Sequence, residues 1–250
     1  MKVEFLGVGE AFDETLPNNS QILEWADCRL LIDCGYSVPH AFWKRHPDPE
    51  YLDAIYISHR HADHYFGLPS VLVRLAEDSR KKHLTIFSAE GTKQTLLEMI
   101  DYAYQGVLSK IKFEILFQEV STDHPHEFRN SRLEFAVSSH PVKNYAIAVF
   151  VDGRKYAYSG DGNFNEHTRR LYDSCSLLVH EAYSFGEKEV PGHARIADVV
   201  EMAMQQKVKR LALTHIQREV RKTKLSEIKD FIKNDNMDVI IPEPGDVLDV

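Results

Sequence analysis

The residues Ser58-His59-Arg60-His61-Ala62-Asp63-His64 place three histidines and an aspartate within six positions. This stretch follows the apolar run Ala54 to Ile57, which predicts a short buried strand. In extended backbone, side chains two positions apart share a side, so His59 and His61 point at one place, while Asp63 and His64 fall on the turn into a helix. Imidazoles and carboxylates together are ligands of zinc, iron and related metals. The spacing therefore predicts a metal site at a strand end, and it argues against a histidine-rich surface loop.

Three more candidate ligands stand where predicted strands open into loops. His140 follows the strand pattern that begins at Leu133, Asp161 follows Gly160, and His215 follows Leu211 to Thr214. Site residues on a sheet scaffold often occupy such positions. Each of the three, taken alone, is more typical of an ordinary loop residue.

Composition sets limits on the class of protein. The chain has 250 residues, of which 43% are apolar and 27% charged. This length and composition predict one soluble domain over residues 1–250. No membrane span or secretory signal is visible, and the net charge of −8 argues against general nucleic-acid binding. Cys28, Cys34 and Cys175 form no CxxC pair, which indicates reduced thiols and a cytoplasmic location.

Strand patterns lead the first third of the chain, and strands then alternate with helices without a linker or repeat. Such a pattern predicts an α/β fold with mixed sheets packed face to face and helices outside. The elements that matter most below are a helix over Tyr65–Ala76, a polar loop over Ser121–Asn130, a hairpin from Ala146–Val151 to Lys155–Ser159, a helix over His193–Gln205 and a last strand over Val239–Ile241.

The His-x-His-x-Asp-His pattern after a hydrophobic strand resembles the signature of the metallo-β-lactamase superfamily. A second group of motifs, His180-Glu181-Ala182, Gly192-His193 and Thr214-His215, is similar to the ribonuclease Z branch and its phosphodiesterase relatives. Further matches are Phe5-Leu6-Gly7, Asn19-Ser20, Leu31-Ile32-Asp33-Cys34-Gly35 and Gly67-Leu68-Pro69, so the resemblance spans nearly the whole chain. It implies a four-layer αββα sandwich, that is, two mixed β-sheets with helices outside.

The resemblance also implies two divalent metal ions, with zinc first and manganese or iron as alternatives. The implied ligands are His59, His61 and His140 for one metal, and Asp63, His64 and His215 for the other, with Asp161 as the bridge. Asp161 stands where many true β-lactamases have cysteine, which argues against β-lactam hydrolysis. Histidine instead of glutamate at His61 argues against the diiron oxygen-reducing branch.

By the same resemblance, His193 is the catalytic histidine, Glu181 is its carboxylate partner, and Asp63 also accepts a proton from the attacking water. The alternative is that His193 is only the first residue of a helix after Pro191-Gly192. Six other histidines are interpreted as surface or core residues, not ligands: His40, His46, His83, His124, His126 and His167.

The chain departs from the family pattern at three places. Ala194 stands where Ser or Thr is usual, and Tyr183 replaces the usual Thr. The interval from His140 to Asp161 holds one hairpin, where tRNA-processing enzymes commonly carry an arm that grips the tRNA. We therefore expect a small-molecule or short nucleic-acid phosphodiester as substrate, no membrane partner, and a homodimer like those of many related enzymes.

Three functional hypotheses follow. The leading one is a dinuclear metal-dependent hydrolase, most simply a phosphodiesterase, that uses a metal-activated hydroxide. The second is a carboxylic-ester, lactone or thioester hydrolase on the same scaffold, which has no obvious need for the pair Glu181 and His193. The third is a non-catalytic metal-bearing binding protein, against which the complete ligand set argues.

Overall fold

A computed structural model describes residues 1–187, 189–233 and 237–250. Within them, the strands are β1 (Lys2–Gly7), β2 (Ser20–Trp25), β3 (Cys28–Ile32), β4 (Ala54–Tyr56), β5 (Leu84–Ser88), β6 (Ile115–Glu119), β7 (His126–Phe128), β8 (Ser131–Val137), β9 (Tyr145–Val151), β10 (Arg154–Tyr158), β11 (Leu177–Glu181), β12 (Arg210–Thr214), β13 (Asp238–Ile240) and β14 (Val247–Asp249). The α-helices are α1 (Val38–Arg45), α2 (Ala62–Tyr65), α3 (Leu68–Glu77), α4 (Thr92–Ala103), α5 (Glu166–Tyr172), α6 (Ile196–Gln205) and α7 (Arg218–Lys233), with a 3₁₀ turn at Val107–Lys110.

The strands form two seven-stranded sheets, and both sheets are mixed. The first has the order β14-β1-β2-β3-β4-β5-β6, and the second has the order β13-β12-β11-β10-β9-β8-β7. In the first sheet, β3 to β6 run parallel while the strands from β14 to β3 pair antiparallel. In the second, β10 to β13 run parallel and β7 to β10 pair antiparallel. The predicted mixed sheets are confirmed.

Alternating side chains of β3 show how the layers are held. Leu30 and Ile32 belong to an inner core together with Tyr156 of the second sheet. Leu31, between them, packs instead with Phe42 of α1 in an outer core. Because successive side chains in a strand point to opposite faces, each sheet is buried on both sides. A corresponding outer core covers the second sheet with α5, α6 and α7. The order of layers is therefore helix, sheet, sheet, helix, as the resemblance implied.

Strand direction brings the candidate ligands to one edge. β10, β11 and β12 are parallel neighbours, and β8 runs in the same direction because β9 is antiparallel to both β8 and β10. The carboxyl ends of these four strands therefore share an edge of the second sheet. The end of β4 joins them from the first sheet, since the Tyr145 backbone N–H donates to the Ser58 carbonyl at 3.0 Å.

The predicted boundaries were wrong in four places. The single helix over Tyr65–Ala76 is split into α2 and α3 around Gly67, where a Cβ atom would lie 2.3 Å from the Gly35 carbonyl oxygen. The helix expected from His193 begins only at Ile196, so His193 lies in a loop. Two three-residue strands, β7 inside the supposed polar loop and β14 near the end of the chain, were missed because such short segments show little periodicity.

The predicted hairpin is confirmed as β9 and β10, and both turn residues, Asp152 and Gly153, have positive φ as a two-residue primed turn needs. The single domain over residues 1–250 stays a prediction. Among the described helices, none combines the length and the apolar character needed to cross a membrane.

Candidate metal centre

The first cluster at the shared edge consists of His59, His61, His140 and Asp161, whose ligand atoms all lie within 4.8 Å of one another. His61 Nδ1 is 3.0 Å from His59 Nε2 and 3.2 Å from His140 Nε2. His59 Nε2 is 3.8 Å from Asp161 Oδ2. Three loops that are distant in sequence thus bring together the residues expected around the first cation.

The second cluster consists of Asp63, His64, Asp161 and His215. His215 Nε2 lies 3.2 Å from Asp63 Oδ2 and 3.5 Å from Asp161 Oδ2, and His64 Nε2 lies 3.2 Å from Asp161 Oδ1. Asp161 belongs to both clusters, which is the position that a bridging ligand needs. All seven expected ligands are therefore in these two clusters, and their roles as ligands stay predictions.

The side chains of the two clusters are better arranged to bind cations than to form hydrogen bonds with one another. His64 Nε2 and Asp161 Oδ1 are buried, and neither has a hydrogen-bond partner of good geometry among the described residues. Burying a polar atom without a hydrogen-bond partner costs free energy, and folded proteins rarely contain two such atoms so close together unless a ligand binds there. A nitrogen and oxygen donor set of this kind suits a divalent metal ion.

Electrostatics lead to the same conclusion. Burial raises the pKa of Asp63, but the nearby charge of His64 and the hydrogen bond to His215 outweigh it, and the net pKa lies well below its ordinary value. Burial lowers the pKa of His215, but Asp161 and Asp63 raise it to about 9. Without a cation, protons on imidazoles must therefore balance the two carboxylates, and a metal ion would displace those protons.

Hydrogen bonds behind the clusters fix which nitrogen each imidazole presents. His64 Nδ1 lies 2.7 Å from Asp33 Oδ2, and His140 Nδ1 lies 3.0 Å from the Gly192 carbonyl oxygen. His59 Nδ1 lies 3.1 Å from Ser58 Oγ, whose own hydroxyl donates to Asp33. In each case Nδ1–H is the donor and Nε2 is free to bind a metal ion.

The role of Asp33 was not predicted from the sequence. Its carboxylate is fully buried at the end of β3 and accepts four hydrogen bonds, from the Ser58 backbone and hydroxyl, from His64 and from the Tyr158 hydroxyl, at 2.7–2.8 Å. Its φ of 55° is in the left-handed region, which is strained for a non-glycine residue. An aspartate directly after a buried strand and before Cys34-Gly35 was the signal that could have identified it.

Glu181 and His193 form a pair beside the second cluster. His193 Nδ1 lies 3.1 Å from Glu181 Oε1, and the same oxygen accepts hydrogen bonds from the backbone N–H groups of Gly162 and Ala194. Burial lowers the pKa of His193, but the bond to Glu181 and its charge raise it above its ordinary value overall. Tyr183 stacks on the His193 ring, with centroids 4.3 Å apart. In the sequence, Tyr183 is recognisable only as a departure from the family pattern, and its contact with His193 was not predicted.

The His193 imidazole also adjoins both clusters. Its ring centroid is 5.5 Å from that of His140 and 6.0 Å from that of His215. A cavity of about 350 Å³ opens next to it, and its lining residues are Asn163, Glu189, Val190, Pro191, Gly192, His193, Arg195 and Asp198. The loop that carries His193 is therefore a wall of the site, and the alternative that His193 merely begins a helix is wrong.

The other histidines lie apart from these groups. Among the described residues, His40, His46, His83, His124, His126 and His167 belong to none of the clusters that could hold a cation. His46 is instead bound to Glu4 at 2.9 Å, and His124 stacks on His126. A larger cavity of about 540 Å³ beside His124 is lined by the outer face of β8 and by α5.

Known proteins include relatives in sequence and chains with a similar fold. The family model described as anti-Pycsar protein Apyc1 matches residues 1–237. A ribonuclease Z from Latilactobacillus sakei subsp. sakei is 27% identical, over 86% of this chain and 87% of its own length. Two solved structures share the fold at 20% identity: the metallo-β-lactamase fold protein YhfI from Bacillus subtilis (TM-score 0.83, 99% of both chains) and the short form of human tRNase Z (TM-score 0.82, 100% of this chain and 99% of that one).

These relatives confirm the expected superfamily and the αββα fold. The ribonuclease Z relatives and the two clusters that could hold a cation also support a metal-dependent hydrolase of the phosphodiesterase kind. In the described interval between His140 and Asp161, the regular structure is the hairpin of β9 and β10 alone. The tRNA-gripping arm that the resemblance would place there is absent from that interval.

Proposed function

The chain belongs to the family of the anti-Pycsar protein Apyc1, and from this premise we propose that it is a dinuclear metal-dependent phosphodiesterase for small or short nucleic-acid diesters. One observation carries the proposal: a Glu–His pair lies against both metal clusters. Ester and lactone hydrolysis has no evident need for a protonated histidine at that position, whereas a phosphodiester develops negative charge on oxygen that such a histidine can stabilise.

We assign His59, His61 and His140 to one cation, Asp63, His64 and His215 to the other, and Asp161 to both. When bound, the two cations would withdraw charge from phosphoryl oxygens and lower the pKa of water. Zinc is the first candidate because the donors are imidazoles and carboxylates, and manganese or iron could use the same set.

Asp63 has a second role in this proposal. Its pKa lies well below its ordinary value because His64 and His215 outweigh the effect of burial, so the carboxylate is ionised at neutral pH. An ionised carboxylate in the site can orient the attacking water, and it could accept a proton from that water where bound cations would have lowered the pKa of the water.

His193 supplies the opposite function. Glu181 holds Nδ1–H, and two backbone N–H groups hold Glu181 in turn, so the imidazole has one orientation. Its raised pKa favours the protonated form, in which Nε2–H can donate to a phosphoryl oxygen or to the leaving oxygen. A positioned acid of this kind contributes about 10²- to 10⁴-fold to the rate.

The preference for small or short diesters rests on what surrounds the site. The chain between His140 and Asp161 offers only a tight hairpin, and the net charge of −8 gives little long-range attraction for a folded polyanion. A homodimer and a cytoplasmic location stay predictions.

The test is turnover by metal-analysed protein on bis(p-nitrophenyl) phosphate, cyclic nucleotides, a precursor tRNA and lactones. We expect the diesters to be cleaved with a higher kcat/KM than the precursor tRNA and the lactones. His193→Ala should keep its metal content and lose about 10²- to 10⁴-fold in kcat on diesters. His167→Ala, a histidine outside the site, is the matched control. Lactone turnover that exceeds diester turnover and survives His193→Ala would favour the ester-hydrolase hypothesis.

A further inference from the structure

The candidate ligands of each metal cluster come from both sheets. Four of them follow β4 of the first sheet and three follow β8, β10 and β12 of the second: His59, His61, Asp63 and His64, and then His140, Asp161 and His215. Each of the two clusters contains members of both groups. The distance between the sheets at this edge therefore sets the spacing of the ligands, and any contact that fixes this distance bears on metal binding.

A chain of hydrogen bonds crosses the apolar core between the two sheets. Its five members are fully buried, and they are Asn19, Gln21, Asp33, Tyr156 and Tyr158. The first three lie in β2 or directly beside β2 and β3, whereas both tyrosines lie in β10. Apolar packing between layers is not directional, but a hydrogen bond tolerates only a narrow range of distances and angles. These five side chains can therefore hold the two sheets in one relative position.

Every donor in this chain of hydrogen bonds points toward Asp33. The Tyr156 hydroxyl donates to Gln21 Oε1 at 3.0 Å, and Gln21 Nε2 donates to Asn19 Oδ1 at 2.8 Å. Asn19 Nδ2 donates to the Tyr158 hydroxyl oxygen at 3.2 Å, and that hydroxyl donates to Asp33 Oδ2 at 2.8 Å. Because hydrogen bonds aligned in this way polarise one another, the Tyr158 hydroxyl is a stronger donor to the carboxylate than an isolated phenol.

The chain of hydrogen bonds ends on the carboxylate behind the metal ligands. Asp33 Oδ2 also accepts hydrogen bonds from His64 Nδ1 and from the Ser58 hydroxyl, each at 2.7 Å. Tyr158 itself stands three positions before Asp161, which belongs to both clusters. His64 Nε2 lies 3.2 Å from Asp161 Oδ1. Tyr158 therefore connects the strand that leads to Asp161 with the carboxylate that orients His64.

We propose that Tyr158 is a positioning residue of the metal centre: its hydroxyl fixes the two sheets at the spacing at which His64 and Asp161 bind one cation. This inference rests on the proposed function, because it takes the two clusters as metal sites. Tyr158 acts through Asp33 and takes no part in the chemical step. Loss of its hydroxyl should therefore lower the affinity for metal ions, and most strongly at the second cluster, to which His64 belongs.

The experiment compares Tyr158→Phe with Tyr156→Phe by titrating zinc into the metal-free proteins in competition with a chelator. Tyr156→Phe is the matched control, because it removes a buried hydroxyl of the same strand whose partner is the amide of Gln21. Tyr158→Phe should bind zinc about 10-fold more weakly than the wild type, at the lower end of the effect of groups behind a metal ligand. Tyr156→Phe should change zinc affinity by less than about 3-fold, since polarisation along the chain is modest for each bond.

A double-variant cycle shows whether Tyr158 acts through Asp33. In the Asp33→Asn background, Tyr158→Phe should change zinc affinity by less than about 2-fold, because the effects of residues that act as one unit do not add. Asn19→Ala removes the donor behind the Tyr158 hydroxyl and keeps the ring in place. It provides a second measurement if Tyr158→Phe does not fold, and it should lower zinc affinity by more than Tyr156→Phe does.

Three results would overturn the inference: zinc affinity in folded Tyr158→Phe equal to that of the wild type, equal losses in the two tyrosine variants, or additive losses in Tyr158→Phe and Asp33→Asn. The affinity measurement does not depend on turnover, so it separates this inference from the proposed function. If the wild type binds two zinc ions but cleaves no diester, the proposed function fails while the role of Tyr158 is still decided by zinc affinity. If the wild type binds no divalent metal ion, both fail.

Discussion

Asp53, just before strand β4, and the metal motif, just after it, both contain buried carboxylates. The two regions differ in how the negative charge of the carboxylate is balanced. Asp53, just before the strand, is 1% exposed, and its Oδ1 pairs with Lys82 Nζ at 2.6 Å and Arg129 Nη2 at 3.1 Å. Its Oδ2 accepts the Arg29 backbone N–H at 2.9 Å. Asp161, which follows β10 and joins the metal motif in the fold, is 2% exposed, and its Oδ1 lies 3.2 Å from His64 Nε2 without a hydrogen bond of good geometry among the described residues.

The difference shows how a structural carboxylate can be told from one that binds a ligand. Around Asp53 the chain supplies its own cations and donors, so the group is satisfied within the fold. Around Asp161 the chain supplies imidazoles, which can carry a positive charge only by holding protons. Glu181 is intermediate, since Oε1 accepts three hydrogen bonds while Oε2 has no partner in the described part of the chain.

The largest effect should come from Asp161→Ala, because this carboxylate belongs to both clusters. Metal content, measured by elemental analysis of gently purified protein, should fall from about two ions per chain toward none, and turnover should fall with it. The wild-type protein prepared in parallel is the reference. Full metal occupancy in the variant would show that Asp161 does not bridge the two sites.

Asp53→Ala should have the opposite profile. Removing one partner of a buried, hydrogen-bonded charge leaves the Lys82 and Arg129 charges without it, at a cost of about 3–5 kcal/mol in the free energy of unfolding. Because both cations are themselves partly exposed, the lower end of that range is expected. Urea denaturation gives the loss, and elemental analysis of the folded fraction should still give two metals per chain. A variant that keeps its stability but loses metal would erase the distinction between the two regions.

Asp33→Asn probes the hydrogen bonds behind the metal ligands. The amide is close in size to the carboxylate, but it has one acceptor oxygen where the carboxylate has two. The His64 ring should therefore be oriented less firmly, and metal affinity should fall by about 10- to 100-fold. Competition with a chelator measures this change. Asp13→Asn changes a carboxylate that accepts hydrogen bonds only from its own loop, and this control should leave metal affinity unaltered. Equal affinity in Asp33→Asn and wild type would mean that packing alone orients His64.

The smallest effect concerns pH. In metal-free protein the pKa of His215 is raised to about 9, because Asp161 and Asp63 outweigh burial, whereas its ordinary value is about 6.5. Its contribution to stability is therefore complete below about pH 6.5 and is lost as the pH rises through about 9. We expect the free energy of unfolding of the metal-free protein, measured by urea denaturation, to fall between pH 6.5 and 9.5.

Metal binding should show the reverse pH dependence, because a metal needs the unprotonated imidazole. The gap in stability between loaded and metal-free protein should thus widen as pH rises over this range. His215→Asn removes the titrating group and is the control. A metal-free stability that rises with pH from 6.5 to 9.5 would contradict the ion pairing inferred around His215.

Much of the site could be predicted from the order of residues along the chain. The first four ligands lie within one local motif, so the spacing of His59, His61, Asp63 and His64 was enough to indicate a metal site. His140, Asp161 and His215 could be suggested from their positions at strand ends, and the family resemblance grouped them. The hairpin of β9 and β10 was also predictable, since its turn sequence Asp152-Gly153 favours the positive φ values that the turn requires.

Other features could not be predicted because they depend on contacts between distant segments. The motif Asp33-Cys34-Gly35 could single out Asp33, but its role depends on Ser58, His64 and Tyr158, which converge on it only in the folded chain. The break between α2 and α3 results from the close approach of Gly67 to Gly35 across the fold. Strands β7 and β14 have three residues each, and they are strands only because a neighbouring strand pairs with them.

The order of residues was enough to predict the α/β class of the fold and the local metal motif, because periodicity and ligand spacing are properties of neighbouring residues. The kind of chemistry was implied by the family resemblance. Only the tertiary structure shows that Asp161 belongs to both clusters and that Asp33 accepts a hydrogen bond from His64. The physical reason is that hydrogen bonds, buried charges and aromatic contacts act over a few ångströms in space. Residues far apart in the chain come within that range only when the two sheets pack.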